Sequence, residues 1–86
     1  MELNRLDYCI MKLLRKKNCT SFFESMTLQE IMEVTHTSRP TLYRKMMNLR
    51  EQGYVDKGCK ATQADTFYLL KKGVSIVENK GEMKDD

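Results

Sequence analysis

The sequence predicts a mainly α-helical chain with one small β-hairpin, built around two helices joined by a tight turn. Three observations carry that prediction. Residues 27–53, TLQEIMEVTHTSRPTLYRKMMNLREQG, hold two helix starts separated by a short polar break. Apolar residues recur at helical spacing on both sides of the break. After Gly53 the pattern changes to short runs of aromatic and branched residues around a polar loop, as in a hairpin.

A length of 86 residues allows one small domain with one modest core. The net charge of +3 is mild, but it is unevenly distributed. Between Arg39 and Lys60, six basic side chains face two acidic ones, a net of +4. From Val74 to Asp86, two basic residues stand against four acidic ones, a net of −2. Positive charge gathered in the middle of a chain suits a face that meets a polyanion. There is no apolar run long enough to span a membrane and no signal-peptide pattern, so a cytoplasmic location is expected. The cysteines, Cys9, Cys19 and Cys59, are odd in number and lack zinc-ligand spacing, so reduced thiols are expected.

The first helix is expected over 3–17. Leu3, Leu6, Ile10, Leu13 and Leu14 define its core face, and Cys9 reads as a small core residue beside them. Arg15, Lys16 and Lys17 form a cationic last turn that offsets the helix dipole. Residues 18–25 read as a loop, with Phe22 and Phe23 as core plugs beneath it.

Thr27 and Glu30 then form a capping box, with Met26 and Ile31 as its hydrophobic staple. Leu28, Ile31 and Val34 make a short apolar stripe. Thr35, His36 and Thr37 interrupt it, Ser38 offers the next N-cap, and Pro40 suits a first helical turn. The second helix of the pair runs to about Gln52, with Leu42, Met46 and Leu49 on one buried stripe. Gly53 closes it as a left-handed cap.

The rest of that helix carries Arg39, Thr41, Tyr43, Arg44, Lys45, Asn48 and Arg50, the donor-rich and aromatic types that reach phosphates and base edges. A capped short helix, a three-residue turn and a basic second helix make a helix-turn-helix, whose second helix enters the DNA major groove. Two strands follow, one beginning at Tyr54-Val55 and one over Thr66–Leu70, joined by the polar loop GCKATQAD. Lys57 and Lys60 near the tip are placed to touch phosphate or the minor groove. A closing short helix is expected over 71–80, its Val74, Ile76 and Val77 packing on the core or on a second subunit. The domain thus covers 1–80, and 81–86 form a charged, flexible tail.

Helix, helix, helix, hairpin is the order of a winged helix, a three-helix core with a two-stranded wing and a short C-terminal helix. The stretches TLQEI, SRPTLYRKMMNLREQGYV and TFYLLKKG together resemble winged helix-turn-helix regulators of bacteria, broadly the MarR-like and related small repressors. The resemblance spans about residues 27 to 73. It implies that Ser38, Arg39, Thr41, Tyr43, Arg44, Lys45 and Asn48 face DNA and that Lys57, Lys60 and the loop to Asp65 form the wing. Two positions depart from the pattern. His36 stands where such motifs often carry glycine and Met32 where they often carry alanine. Histidine is enriched among non-glycine residues at positive φ, so the turn can survive. Full-length MarR-like proteins dimerise through long terminal helices and bind ligands there. The short terminal helices here argue against a ligand pocket, while the first and last helices remain the surfaces for a homodimer.

The leading expectation is a sequence-specific, double-stranded-DNA-binding transcriptional regulator, by resemblance a homodimeric repressor, with no cofactor or metal. Arg39 and Arg44 suit bidentate contact with guanine and Asn48 contact with adenine, while Lys45, Lys57 and Lys60 suit phosphates. The alternative is a protein-interaction or replication-accessory winged helix, for which Tyr43 and Met47 offer apolar contacts. An enzyme is the weakest reading, since no nucleophile–base pair, phosphate-cradling glycine loop or metal-ligand cluster is visible.

Overall fold

Two devices repeat along the first half of the chain, side-chain caps that start helices and left-handed residues that end them. The computed structural model describes the backbone over residues 3–60 and 63–84 and the side chains of 3–60 and 63–78. Helix α1 spans Arg5–Lys16 and starts with a capping box, in which Asn4 and Asp7 each accept from the other's backbone N–H. Asn18, at φ +59°, turns the chain away after it. Helix α2, Leu28–Thr35, starts with the expected Thr27–Glu30 box and closes on His36 at φ +57°. Helix α3, Arg39–Glu51, has Pro40 in its first turn and closes before Gly53, at φ +86°. Of the three left-handed positions only the last is glycine. Asparagine and histidine tolerate that conformation better than most residues, at a steric cost.

The sheet is larger than the hairpin the sequence suggests. Strands β2 (Val55–Lys57) and β3 (Thr66–Leu69) form it, and a two-residue strand β1, Met26–Thr27, adds to the free edge of β3. The order is β1-β3-β2, antiparallel throughout, with Met26 opposite Phe67 and Val55 opposite Leu69. No local pattern marks β1, because two residues become a strand only through pairing with Phe67 and Thr66. The wing loop is tied to the segment before β1. Cys59 N–H donates to the Phe22 carbonyl at 2.8 Å, and the Ser25 hydroxyl donates to Thr66 Oγ1 at 2.9 Å. Gly58 lies so close there that a Cβ would sit 2.7 Å from the Phe22 carbonyl oxygen. Ala61 and Thr62 of the loop GCKATQAD lie outside the described residues.

Helix α4, Lys71–Lys84, packs against α1, and Arg15 Nη2 donates to Glu78 Oε2 across the pair at 2.8 Å. Its backbone continues past residue 80, so 81–84 prolong the closing helix rather than begin a tail. Gly81 lowers helix propensity, and the following Glu, Met and Lys are good helix formers. Residues 85 and 86 of the expected flexible tail lie outside the described residues.

Ile10, Met11, Leu14, Ile31, Leu42, Met46, Leu49, Val55 and Phe67 are fully buried in one cluster drawn from α1, α2, α3 and the sheet. Burying such a side chain contributes about 1.5–3 kcal/mol, so this cluster is what holds α3 against the rest. Sequence expectations fail here at four residues, Cys9, Phe22, Phe23 and Val34. Cys9 is exposed, because Ile10, Met11 and Leu14 turn the core face of α1 away from it. Cys19 is the buried cysteine, and burial raises its thiol pKa above the ordinary 9.0. Phe22 and Phe23 are not core plugs: they are 49% and 80% exposed and meet each other edge to face, 5.2 Å apart. The Phe22 backbone anchors the wing, which leaves the ring outside. Val34 is 52% exposed, because Ile31 and the half-buried Met32 set the inner face of α2.

Candidate nucleic-acid interface

The stripe that buries Leu42, Met46 and Leu49 decides what α3 presents outward. With 3.6 residues per turn, Arg44 falls opposite that stripe, Thr41 and Asn48 fall toward one flank, and Arg39 and Tyr43 toward the other. Ser38, Arg39, Pro40, Thr41, Tyr43 and Arg44 are all exposed, and Asn48 is half-buried. Ser38 sits at the N-cap with extended backbone but does not cap. Its hydroxyl donates to Thr41 Oγ1 at 3.1 Å. The first turn of α3 therefore has no side-chain cap and no acidic residue, which favours an anion at that end. Glu51 stands at the other end, so the positive half of the face is the N-terminal half.

The Arg39–Tyr43 flank borders the wing. Pro40 and Tyr43 of α3, Leu28 of α2, and Ala64 and Phe67 on the wing side line an open cleft of about 520 Å³. Lys57 and Lys60 reach toward one carboxylate, with ammonium nitrogens 3.5 and 3.8 Å from Asp65 oxygens. Two basic residues thus stand on the wing, Lys57 at the end of β2 and Lys60 in the loop that follows it.

The other basic side chains of α3 divide by partner. Arg39 Nη2 donates to Gln29 Oε1 at 3.0 Å, joining the starts of α2 and α3. Arg50 Nε donates to Asp56 Oδ1 at 2.8 Å, and the Lys57 N–H donates to the same oxygen at 2.8 Å. The Arg50 hydrogen bond is the main reason the Asp56 carboxyl lies below its ordinary pKa of 3.8. Arg50 is thereby matched to an acid on β2. Lys45 does not stand on the outward face as expected. It is one turn past Thr41 toward α1, its side chain only 20% exposed, with Nζ 3.4 Å from Asp7 Oδ1. Among the described residues of α3 and the wing, Arg44 is the one basic side chain with no hydrogen-bond or ion-pair partner.

Sequence reasoning missed Asp7. Its signal was present: Asn4 and Asp7 have the spacing of a capping box, and Asp7 lies among Leu3, Ile10 and Leu14 on the apolar stripe of α1. Breaking a buried ion pair by removing one partner costs about 3–5 kcal/mol, so the Asp7–Lys45 contact constrains both helices.

Among the described residues no group of three or more His, Cys, Asp or Glu side chains gathers as a metal site. No helix there is long and apolar enough to cross a membrane.

Three helices, a left-handed turn before an exposed basic helix and a wing at its flank define a winged helix-turn-helix protein. No protein-family model matches the chain. The DNA-binding protein TubR of Clostridium botulinum C phage is 30% identical over 79 residues, covering 92% of this chain and 98% of that relative. The chain belongs to the TubR family. The structure of TubR from Bacillus megaterium pBM400 superposes with a TM-score of 0.83 at 15% identity, covering 92% of this chain and 87% of that one. The Staphylococcus aureus MepR–DNA complex gives a TM-score of 0.82 at 16% identity, covering 96% of this chain and 65% of that one. The fold expected from the MarR-like resemblance is thus the fold found, and it matches 65% of the MepR chain.

Proposed function

We propose that this chain is a sequence-specific, double-stranded-DNA-binding transcriptional regulator of the cytoplasm, without enzymatic activity, and that it acts as a repressor. The observation that carries the reading is Arg44, exposed and without an internal partner at the centre of the outward face of α3. A guanidinium left free in a chain that pairs its neighbours is available for guanine O6 and N7. Ser38, Arg39, Thr41 and Tyr43 surround it on the N-terminal half of the helix, and Asn48 suits adenine beyond it. Lys57 and Lys60 exchange Asp65 for phosphate when the wing meets the backbone. The name of the phage relative, a DNA-binding protein, supports this reading, as does the shared fold of MepR in complex with DNA.

A homodimer would pair through α1 and α4, where Leu3, Leu6, Val74 and Ile76 are only partly buried. Two-fold pairing would read a near-palindromic site with half-sites about one helical turn apart. The test is selection from random-sequence duplex DNA with sequencing of the bound fraction, followed by a salt titration. An enriched two-fold motif supports a dimeric sequence reader, and an enriched single half-site supports a monomeric one. Binding without a motif would refute sequence-specific regulation. Absence of binding at low salt would refute DNA recognition and favour the protein-interaction alternative, which has the exposed Phe22–Phe23 pair to offer a partner.

A further inference from the structure

The buried carboxylate of Asp7 has no part in the interface just described, yet it touches the recognition helix. Its side chain is 1% exposed. Oδ2 accepts from the Asn4 backbone N–H at 2.9 Å, and the Asn4 side chain accepts from the Asp7 N–H at 3.0 Å. Oδ1 has no aligned hydrogen-bond donor. What answers it is the Lys45 ammonium at 3.4 Å, within ion-pair reach.

Each partner has a reason to keep the other. A buried carboxylate without a counter-charge is strongly destabilising. Lys45 therefore cannot leave for a DNA phosphate without exposing that cost, whereas Lys57 and Lys60 share a one-third-exposed carboxylate and can leave cheaply. The contact also links α1, through its first turn, to the flank of α3 that carries Thr41, Lys45 and Asn48 at i, i+4 and i+7.

We propose that Asp7 is a positioning residue for DNA recognition: it holds the Lys45 ammonium off the phosphates and sets the rotation of α3 against α1. This rests on the DNA-binding reading above. Lys45 is then part of the frame that aims the recognition helix. In this protein the basic residue count of α3 exceeds the number of its phosphate contacts by at least this one.

The experiment compares the unsubstituted protein with Asp7→Asn, Lys45→Met and the double variant, measuring duplex affinity against salt and the thermal midpoint. Asparagine can still accept from the Asn4 N–H, so the capping box survives. Asp7→Asn is expected to free the ammonium and steepen the log–log salt slope by about 0.9, the value for one added phosphate contact. The double variant is expected to return to the unsubstituted slope. Lys45→Met alone is expected to lower the thermal midpoint with the slope unchanged, and Lys45→Arg to restore the midpoint. A slope unchanged by Asp7→Asn would reduce Asp7 to a purely structural group and overturn the proposal. So would a slope made shallower by about 0.9 in Lys45→Met or in the double variant, since Lys45 would then already hold a phosphate. If Lys45→Met does not fold, the double variant, which leaves no unpaired charge, carries the same test. Failure of the unsubstituted protein to bind DNA at low salt would overturn both readings together, and slope failures with binding intact overturn this one alone.

Discussion

Truncating Arg44 separates recognition from folding more cleanly than any other change on this surface. Its side chain is exposed and has no partner among the described residues, so Arg44→Ala removes no internal hydrogen bond or ion pair. Alanine is also the best helix former, which offsets the loss of the stem. The change in stability should stay within about 0.5 kcal/mol, the range of an ordinary surface substitution. Binding should respond differently. A bidentate arginine–guanine contact is worth about 1–3 kcal/mol of discrimination, or roughly 5- to 150-fold in affinity. Fluorescence anisotropy on the selected duplex, at one fixed salt concentration, reads that loss. Repeating the selection with the variant should show relaxed preference at one base pair of each half-site and retained preference elsewhere. Unchanged affinity together with unchanged preference would refute the placement of Arg44 at the base edges. A large drop in thermal midpoint would refute the claim that it has no structural role. A uniform loss over all sequences, with a salt slope shallower by about 0.9, would assign Arg44 to a phosphate instead.

Three further predictions test the frame around that face. His36→Gly should stabilise the protein, because a non-glycine residue in the left-handed region costs about 1–2 kcal/mol and glycine's extra unfolded-state freedom returns about 0.5–1 of it. The thermal midpoint should therefore rise by a few degrees, and a fall would mean that the imidazole makes a compensating contact. Gly58→Ala should destabilise by about 1–3 kcal/mol, since its Cβ meets the Phe22 carbonyl oxygen and the Ser25 side chain at under 3 Å; thermal unfolding checks this, and an unchanged midpoint would show the wing free to move off that segment. In the native protein at neutral pH, a thiol reagent should label Cys9 and Cys59 quickly and Cys19 slowly. Burial and a raised pKa both leave Cys19 with less thiolate, and equal labelling of all three by mass spectrometry would contradict the packing around it.

Local signals in the sequence were enough to determine the helical part of this fold and the candidate face on it. The Thr27–Glu30 box, Pro40, Gly53 and the Leu42–Met46–Leu49 stripe act over one or two turns, so each can be read from neighbouring residues, and each is where it was expected. The left-handed turn at His36 was legible for the same reason: backbone sterics act within a residue and its neighbours. The outward positions of Thr41, Tyr43 and Arg44 follow from that stripe by helix geometry, whereas Ser38 and Arg39 are exposed because they stand at the start of the helix. What only the tertiary structure decided involves partners distant in sequence. Strand β1 exists because β3 has an edge to offer, some forty residues further along the chain. Phe22 and Phe23 stay outside because the backbone of that segment anchors the wing. Lys45 looks like any other basic residue of the recognition helix until α1 brings a buried carboxylate to it, and charge pairing across thirty-eight positions has no local pattern to announce it.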